Sequence, residues 1–186
     1  MYTISKNHER TVSMNNYTTI SPADLACNPI KEIGKDWMLI TAKKADGSIN
    51  TMTASWGGVG VLWGKNVAFC FIRPQRYTLE FTEEAEEFSL SFFEETYRSA
   101  LTLCGRKSGR DCDKITEAGL HPADFEGVPA FTEAKRVLKV KKLYKDAIRP
   151  ESFLDPALCT RHYKEQDYHI LYICEILAGF EKEDQV

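Results

Sequence analysis

The chain has 186 residues, of which 43% are apolar and 27% are charged, and its formal net charge is -3. This length suits one domain with a packed core, and the composition excludes a chain that is disordered throughout. The slight negative charge disfavours a general nucleic-acid binder, and no apolar run reaches the ~18–20 residues of a membrane helix.

The start of the chain is polar and has no signal-peptide pattern. We therefore expect a flexible N-terminal arm over residues 1–16 and a single domain over residues 17–186. The cysteines include no C-x-x-C pair, and the histidines lack ligand spacing to them, so we expect neither a disulfide framework nor a metal site. Cys70 and Cys174 lie within apolar runs and are predicted to be buried thiols in a reducing, cytoplasmic setting.

The first half of the chain predicts strands joined by tight turns. Ser21 before Pro22 is a helix-start pattern, and residues 37–56 form a hairpin around the turn pair Asp46-Gly47. A continuous apolar strand follows over residues 66–72. Pro74 then opens a short helix through about Glu84, because proline suits the first helical position.

The second half alternates in the same way. Residues 86–93 predict a strand, and a helix follows that ends at Gly105. A second short helix is expected to begin at Ser108, whose spacing to Asp111 is that of a capping box. Two further strands, over residues 134–148 and 168–180, complete a mainly β, antiparallel sheet or barrel with helical decoration.

Both of these predicted helix starts carry the wrong charge. Arg73 and Arg76 flank the first, and Arg106, Lys107 and Arg110 surround the second. Helix N-termini disfavour cations, but free backbone N–H groups together with arginine make a phosphate site. One interpretation is therefore a bound anion. The other is a set of solvated basic residues paired with nearby acids.

The stretch NTMTASWGG, residues 50–58, offers small hydroxyl groups beside one large aromatic ring. Thr51, Thr53 and Ser55 alternate, so a regular strand would present them on one face, where they could bind a ribityl chain or a phosphate. The alternative is an ordinary solvent-facing strand. Trp56 suits a core or an interface as well as a ligand platform, and residues 57–58 indicate a turn.

Taken together, NTMTASW, RPQRYT and CGRKSGRDCDKI resemble, in order and spacing, the flavin reductase-like family, which includes the flavoredoxins. The resemblance runs from about Met38 to the final strand. It implies an FMN-binding split β-barrel that works as a homodimer, with the flavin near the subunit interface.

The resemblance also implies a set of cofactor-binding residues, in which Arg76 meets the phosphate. The set is Asn50, Met52, Thr53, Ala54, Ser55, Trp56, Arg73, Arg76, Tyr77, Thr78, Ser108, Gly109 and Lys114. His169 is the implied substrate-binding residue, beside the ring where a nicotinamide would stack; a purely structural histidine is the alternative. Many relatives have glycine where Cys174 stands, which leaves the space for a second substrate open. No catalytic acid or base is assigned.

The function implied is an FMN-dependent oxidoreductase, an NAD(P)H-dependent flavin reductase. One alternative is a flavoredoxin-type carrier that keeps FMN bound and exchanges electrons with a redox protein. Another is a split-barrel binding module without redox activity. No G-x-G-x-x-G follows a strand, so a Rossmann dinucleotide site is not indicated. Neither a nucleic acid nor a membrane is an expected partner.

Overall fold

The structure, a computed structural model, describes residues 16–183. The predicted flexible arm over residues 1–16 therefore lies outside the described residues, apart from Asn16. Ten strands are present: β1 (Tyr17–Ile20), β2 (Met38–Lys43), β3 (Ile49–Ala54), β4 (Gly57–Leu62), β5 (Lys65–Ile72), β6 (Glu87–Phe92), β7 (Pro122–Phe125), β8 (Val128–Phe131), β9 (Arg136–Ala147) and β10 (Ile170–Lys182).

The helices are short and lie in the connections. They are α1 (Pro29–Lys31), which runs into a π-helical turn (Glu32–Asp36), α2 (Thr78–Glu84), α3 (Arg98–Arg106), α4 (Lys114–Glu117) and α5 (Pro156–His162). Single 3₁₀ turns are Pro22–Asp24, Glu95–Tyr97 and Pro150–Ser152. No helix within residues 16–183 combines the length and the apolar character needed to cross a bilayer.

One antiparallel sheet dominates the fold. Its hydrogen-bonded order is β3-β2-β6-β9-β10-β5-β4, and β1 pairs with the C-terminal end of β10, from Gly179 to Lys182. The two ends of this order, β3 and β4, are consecutive in the chain and are joined only by Ser55 and Trp56. The sheet therefore curls back towards its own start without closing. β7 and β8 form a separate hairpin.

The curled sheet encloses one apolar cluster and carries a second on its outside. Met38, Phe88 and Tyr172 are fully buried in the inner cluster, to which six strands contribute. Outside, α3, the β7–β8 hairpin and β1 cover a second cluster that contains Leu39 and Phe131. Neighbouring residues of β2, such as Met38 and Leu39, thus serve opposite cores, as the period of two in a strand requires.

Most predicted strands are confirmed. The hairpin of β2 and β3 pairs Met38 with Ala54, and its turn contains Gly47 with a φ of 86°. The predicted strands over residues 66–72, 86–93, 134–148 and 168–180 correspond to β5, β6, β9 and β10. The helix that was expected to end at Gly105 is α3, and it ends one residue later.

The prediction that a helix begins at Pro74 is wrong. Residues 73–76 instead form a separate turn, closed by the Arg76 N–H donating to the Arg73 carbonyl at 3.0 Å, and α2 begins only at Thr78. The fixed φ of proline suits the second position of a β-turn as well as the first turn of a helix, so sequence alone could not choose. The helix start predicted at Ser21 and Pro22 is present with Ser21 as its cap, but it extends only to a single 3₁₀ turn, Pro22–Asp24.

The prediction that a second helix begins at Ser108 is also wrong, since α4 begins at Lys114. Ser108 caps its own turn, because its Oγ accepts from the Arg110 N–H at 3.2 Å. Asp113 is the cap of α4, and its Oδ1 accepts from the Thr116 N–H at 3.1 Å. Residues 108–113 are therefore an irregular loop.

The turn predicted at residues 57–58 is likewise corrected, because Gly57 and Gly58 open β4. A Cβ at Gly57 would lie 2.7 Å from the Phe69 carbonyl oxygen, so only glycine permits this approach of β4 to β5. Several other elements were not predicted from the sequence, among them β1, β4, the β7–β8 hairpin and α5.

Candidate functional site

Two adjoining hollows lie where β3, the turn after β5 and the loop after α3 meet. The strand-side hollow measures about 210 Å³ and is lined by Met52, Thr53, Ala54, Ser55, Trp56, Phe71, Arg73, Arg76 and His169. The loop-side hollow measures about 360 Å³ and is lined by Met52, Arg73, Gln75, Arg76, Tyr77, Thr78, Arg106, Lys107, Ser108 and Lys114. Met52, Arg73 and Arg76 line both hollows, so the two lie side by side.

The structure thus brings nearly all the predicted site residues together. Asn50 and Gly109 are the exceptions, since they lie behind the loop-side hollow without lining it. Sequence reasoning did not assign Phe71, Gln75, Arg106 and Lys107 to the site. The two basic residues did carry a signal, because they stand beside the predicted helix start; Phe71 and Gln75 carried none.

The strand β3 presents its side chains as its alternation predicts. Met52 and Ala54 belong to the inner cluster, whereas Thr51 and Thr53 point to the opposite face. The row of hydroxyl groups is not free, however. Thr51 is buried and bonded to Thr41 Oγ1 at 2.8 Å, and the Thr53 hydroxyl donates to the Leu101 carbonyl of α3. Both hydroxyl groups are therefore used in hydrogen bonds within the protein, which link β3 to β2 and to α3.

Arg76 and Lys114 are two cations held in the protein without a carboxylate partner among residues 16–183. Arg76 Nη1 donates to the Gly105 carbonyl at 2.6 Å, and burial lowers the pKa of Arg76. Lys114 is only 4% exposed, and its Nζ donates to the carbonyls of Cys104 and Lys107 at 3.3 and 3.2 Å. Burial, and less strongly the charge of Arg76, lowers the pKa of Lys114. Such a pair favours an anion between them.

Among the other basic residues near the loop-side hollow, Arg106 is exposed and has no ion pair within residues 16–183, whereas three have partners. Lys107 is paired with Glu117, and Arg110, just outside the lining, is paired with Glu80. Arg73 is paired with Asp167, and its Nη2 also donates to the His162 carbonyl at 2.9 Å. The proposal of solvated, acid-paired basic residues is therefore right for these three, but it does not describe Arg76 or Lys114.

Asn50 and Gly109 shape the wall behind the loop-side hollow. Asn50 is 3% exposed, and its Nδ2 donates to Thr78 Oγ1 at 2.9 Å, which ties β3 to the start of α2. A Cβ on Gly109 would clash with the Asn50 carboxamide and lie 3.3 Å from the Tyr77 ring. Glycine at this position therefore lets the 108–113 loop lie against β3.

An aromatic group borders the strand-side hollow. The Trp56 ring lies 4.7 Å from the His169 ring and 5.3 Å from the His162 ring, centroid to centroid. His169 Nδ1 is bonded to the Tyr163 hydroxyl at 2.9 Å. Burial, followed by the charge of Arg73, lowers the pKa of His169 to about 4. The imidazole is thus neutral near pH 7 and offers shape and hydrogen bonds instead of a proton.

Cys174 lies away from both hollows. It is fully buried in the inner cluster beside Cys70, as predicted, and lines neither space. The neighbouring Cys174 thiol, together with burial, raises the pKa of Cys70 well above its usual range. The cysteine at this position therefore fills the barrel interior without narrowing the strand-side hollow.

The model of the flavin reductase-like domain family matches residues 31–186. The chain belongs to this family. A search of curated proteins gives no match. The fold of this flavin reductase-like domain, an open antiparallel barrel, is the split barrel that the sequence resemblance implies.

Solved structures show the same architecture at low identity. The FMN-binding domain of a flavin reductase-like enzyme from Shewanella baltica OS155 matches with a TM-score of 0.63 and 15% identity, over 90% of this chain and 78% of that one. Flavoredoxin of Desulfovibrio vulgaris (Miyazaki F) matches with 0.61 and 20%, over 80% and 69%. The styrene monooxygenase flavin reductase of Pseudomonas putida S12 matches with 0.60 and 13%, over 80% of each chain.

Proposed function

We propose that this flavin reductase-like domain binds FMN and acts as an NAD(P)H-dependent flavin reductase or related oxidoreductase. The observation that carries the proposal is the pair of cations, Arg76 and Lys114, which have no carboxylate partner among the described residues. A phosphate between them would satisfy both charges, and charge-assisted hydrogen bonds of this kind are among the strongest in proteins.

The rest of the site suits the remainder of FMN. The loop-side and strand-side hollows share Met52, Arg73 and Arg76 in their linings, so a molecule with an anionic end and a flat end could extend from one to the other. Ala54 and Ser55 have small side chains that leave room for a ring beside the backbone. FMN, when bound, supplies the hydride and electron chemistry of the family.

The protein residues would therefore bind and orient without exchanging protons. Arg76 and Lys114 hold the anionic end, and Trp56 and His169 border the flat end. Because His169 is neutral near pH 7 and already bonded to Tyr163, it would position a ring or a nicotinamide by shape and polarity. Orientation of two reactants supplies much of the acceleration of a hydride transfer.

A titration tests the proposal directly. We expect the protein to bind FMN at least about tenfold more tightly than riboflavin, which lacks the phosphate, since hydrogen bonds to charged groups contribute about 1.5–3 kcal/mol. Quenching of flavin fluorescence measures both affinities. Equal affinity for the two flavins, or binding of neither, would contradict the assignment and favour a binding module without redox activity.

A flavoredoxin-type carrier is the second candidate, and the small strand-side hollow favours it. At about 210 Å³ it is the smaller of the two hollows, so a nicotinamide beside a flavin ring would need additional space. Mixing the FMN-loaded protein with NADH or NADPH separates the two. Catalytic loss of nicotinamide absorbance identifies a reductase, whereas a tightly bound flavin without turnover identifies a carrier that a redox protein serves.

We further propose that the domain forms a homodimer through the outer face of β5 and β10. Phe69 and Phe71 of β5 lie opposite Ile173 and Leu171 of β10, on the face turned away from the inner cluster. Nearby, Trp63 is 59% exposed. Its ring lies 6.3 Å from that of the exposed Tyr144, and an exposed apolar patch of this kind is typical of a subunit interface. Sedimentation equilibrium should give twice the chain mass, and Trp63→Arg should lower the dimer affinity; a monomer at all concentrations would contradict it.

A further inference from the structure

The segment between β9 and β10, residues 148–168, lies beside the strand-side hollow and is called the roof segment below. It contains the turn Pro150–Ser152 and helix α5. Within it, only Tyr163 is buried, while Leu154 and Leu158 are exposed. Segments with few buried apolar contacts open at a low free-energy cost. The roof segment is therefore held less firmly than the barrel beneath it.

The roof segment contacts the hollow at two points. The His162 ring meets the Trp56 ring edge to face at 5.3 Å, and the Tyr163 hydroxyl is bonded to His169 Nδ1 at 2.9 Å. Trp56 and His169 both line the strand-side hollow. Any movement of the roof segment would thus change the space beside these two rings.

A polar latch ties the roof segment to the barrel. Arg73 is paired with Asp167, and Arg73 Nη2 donates to the His162 carbonyl at 2.9 Å. Gln75 Nε2 also donates to Asp167 Oδ2, at 2.6 Å. Arg73 and Gln75 come from the turn after β5, so three polar contacts join that turn to the far end of the roof segment. Arg73 additionally lies over the Tyr163 ring, 5.3 Å from its centroid.

A hollow lies on each side of the roof segment, and both bear on whether the segment can move. The strand-side hollow, at about 210 Å³, has little room for a flat ring and a second reactant together. The start of the roof segment borders a separate hollow of about 380 Å³, lined in part by Tyr144, Ile148, Phe153 and Leu171. This part of the segment is therefore not tightly packed on that side either.

We propose that the roof segment is a gate over the strand-side hollow, and that the Arg73–Asp167 pair is the latch that holds it closed. Asp167 and Arg73 are positioning residues: they act through His162 and Tyr163 on the space beside Trp56 and His169. The gate opens to admit the flat end of the cofactor and its reaction partner. For its ligand, this inference rests on the proposed binding of FMN.

The latch is tested first without any ligand. Asp167→Asn removes the charge that Arg73 holds, and Glu165→Gln is the matched control, since it removes one exposed negative charge from the same segment. We expect hydrogen exchange of the amides in residues 156–168 to become at least about tenfold faster in Asp167→Asn, with no such change in the barrel strands or in the control. Equal exchange in the two variants would overturn the latch.

The gate is tested by stopped-flow mixing with FMN. In Asp167→Asn, the association and dissociation rate constants should both rise about three- to tenfold, leaving Kd nearly unchanged, because a gate alters the path and not the bound contacts. A purely structural role would instead raise the dissociation rate and Kd without raising the association rate, and this result would overturn the gate. Glu165→Gln, the same control as above, should leave both rate constants unchanged.

The two proposals fail differently. If neither the wild-type protein nor any variant binds FMN, the proposed function is wrong, but the hydrogen exchange of the apo-protein still decides whether the latch exists. If FMN binds with the expected preference over riboflavin and the exchange and rate constants are unaffected by Asp167→Asn, only the gate is wrong.

Discussion

The loop-side and strand-side hollows share Arg73 and Arg76, yet the two guanidinium groups have different partners. Arg73 is paired with Asp167 and also donates to a carbonyl of the roof segment. Arg76 donates to the Gly105 carbonyl and has no carboxylate partner among residues 16–183. Two arginines three residues apart therefore differ in purpose: the paired one organises the fold, and the unpaired one is available to an anion.

The same contrast extends to the surroundings of each hollow. The loop-side hollow is lined by basic residues and by Ser108 of the irregular 108–113 loop, whereas aromatic rings and a neutral histidine border the strand-side hollow. The anionic and flat ends of the proposed ligand would thus occupy separate, adjacent hollows. Burial of a charge costs free energy unless it finds a partner, so an unpaired buried cation indicates a ligand more strongly than an exposed one does.

The largest effect is expected from replacing Arg76, the arginine without a carboxylate partner. Arg76→Ala should remove most of the preference for FMN over riboflavin, a loss of about 10–150-fold, because hydrogen bonds to a charged group contribute about 1.5–3 kcal/mol. Arg161→Ala is the control, since Arg161 is exposed and lines neither hollow. Flavin fluorescence measures the affinities. An unchanged preference in Arg76→Ala would show that the phosphate is not bound there.

The second-largest effect is expected from a substitution at Gly109, behind the loop-side hollow. Gly109→Ala forces a methyl group against the Asn50 carboxamide, and overpacking of this kind costs about 1–3 kcal/mol. Urea denaturation measures the free energy of unfolding. In the Asn50→Ala background the same substitution should cost much less, since the clash is removed and contacting residues are not additive. Equal costs in both backgrounds would show that Asn50 does not shape the loop.

In the strand-side hollow, we expect the buried, neutral His169 to make the free energy of unfolding depend on pH. The folded-state pKa of His169, about 4, is below its unfolded value, so the contribution is complete above about pH 6.5 and is lost as the pH falls towards 4. Within that window each pH unit costs at most about 1.4 kcal/mol. His169→Gln should flatten this part of the curve, whereas His121→Gln, at a mostly exposed position, should not. Parallel curves for all three proteins would contradict the burial of a neutral imidazole.

The smallest effect concerns the hydroxyl row of β3. Thr53→Val removes a hydrogen bond to the Leu101 carbonyl and should cost about 0.5–1.5 kcal/mol of unfolding free energy. Thr160→Val removes a comparable bond, to the Pro156 carbonyl, at an exposed position and should cost less. Thermal denaturation compares the two. If Thr53→Val weakens FMN binding as much as Arg76→Ala does, the hydroxyl group belongs to the ligand site more than to the joint between β3 and α3.

The amino-acid sequence by itself predicted most of the sheet and most of the residues that line the two hollows. Alternation and long apolar runs predicted β2, β3, β5, β6, β9 and β10, because a strand buried on one or both faces leaves a local pattern. The family resemblance carried by NTMTASW, RPQRYT and CGRKSGRDCDKI implied which residues gather, and nearly all of them lie around the two hollows. Local patterning also predicted the buried thiols Cys70 and Cys174.

Only the tertiary structure decided three features. These are where α2 and α4 begin, that Arg76 and Lys114 lack a carboxylate partner among residues 16–183, and which segment lies beside the strand-side hollow. Pro74 and Ser108 suit turns as well as helix starts, so the choice depended on packing against other strands. The partner of Arg73, Asp167, is 94 residues away in the chain. No local pattern encodes a pairing over that distance, because it exists only once β5 and β10 lie side by side.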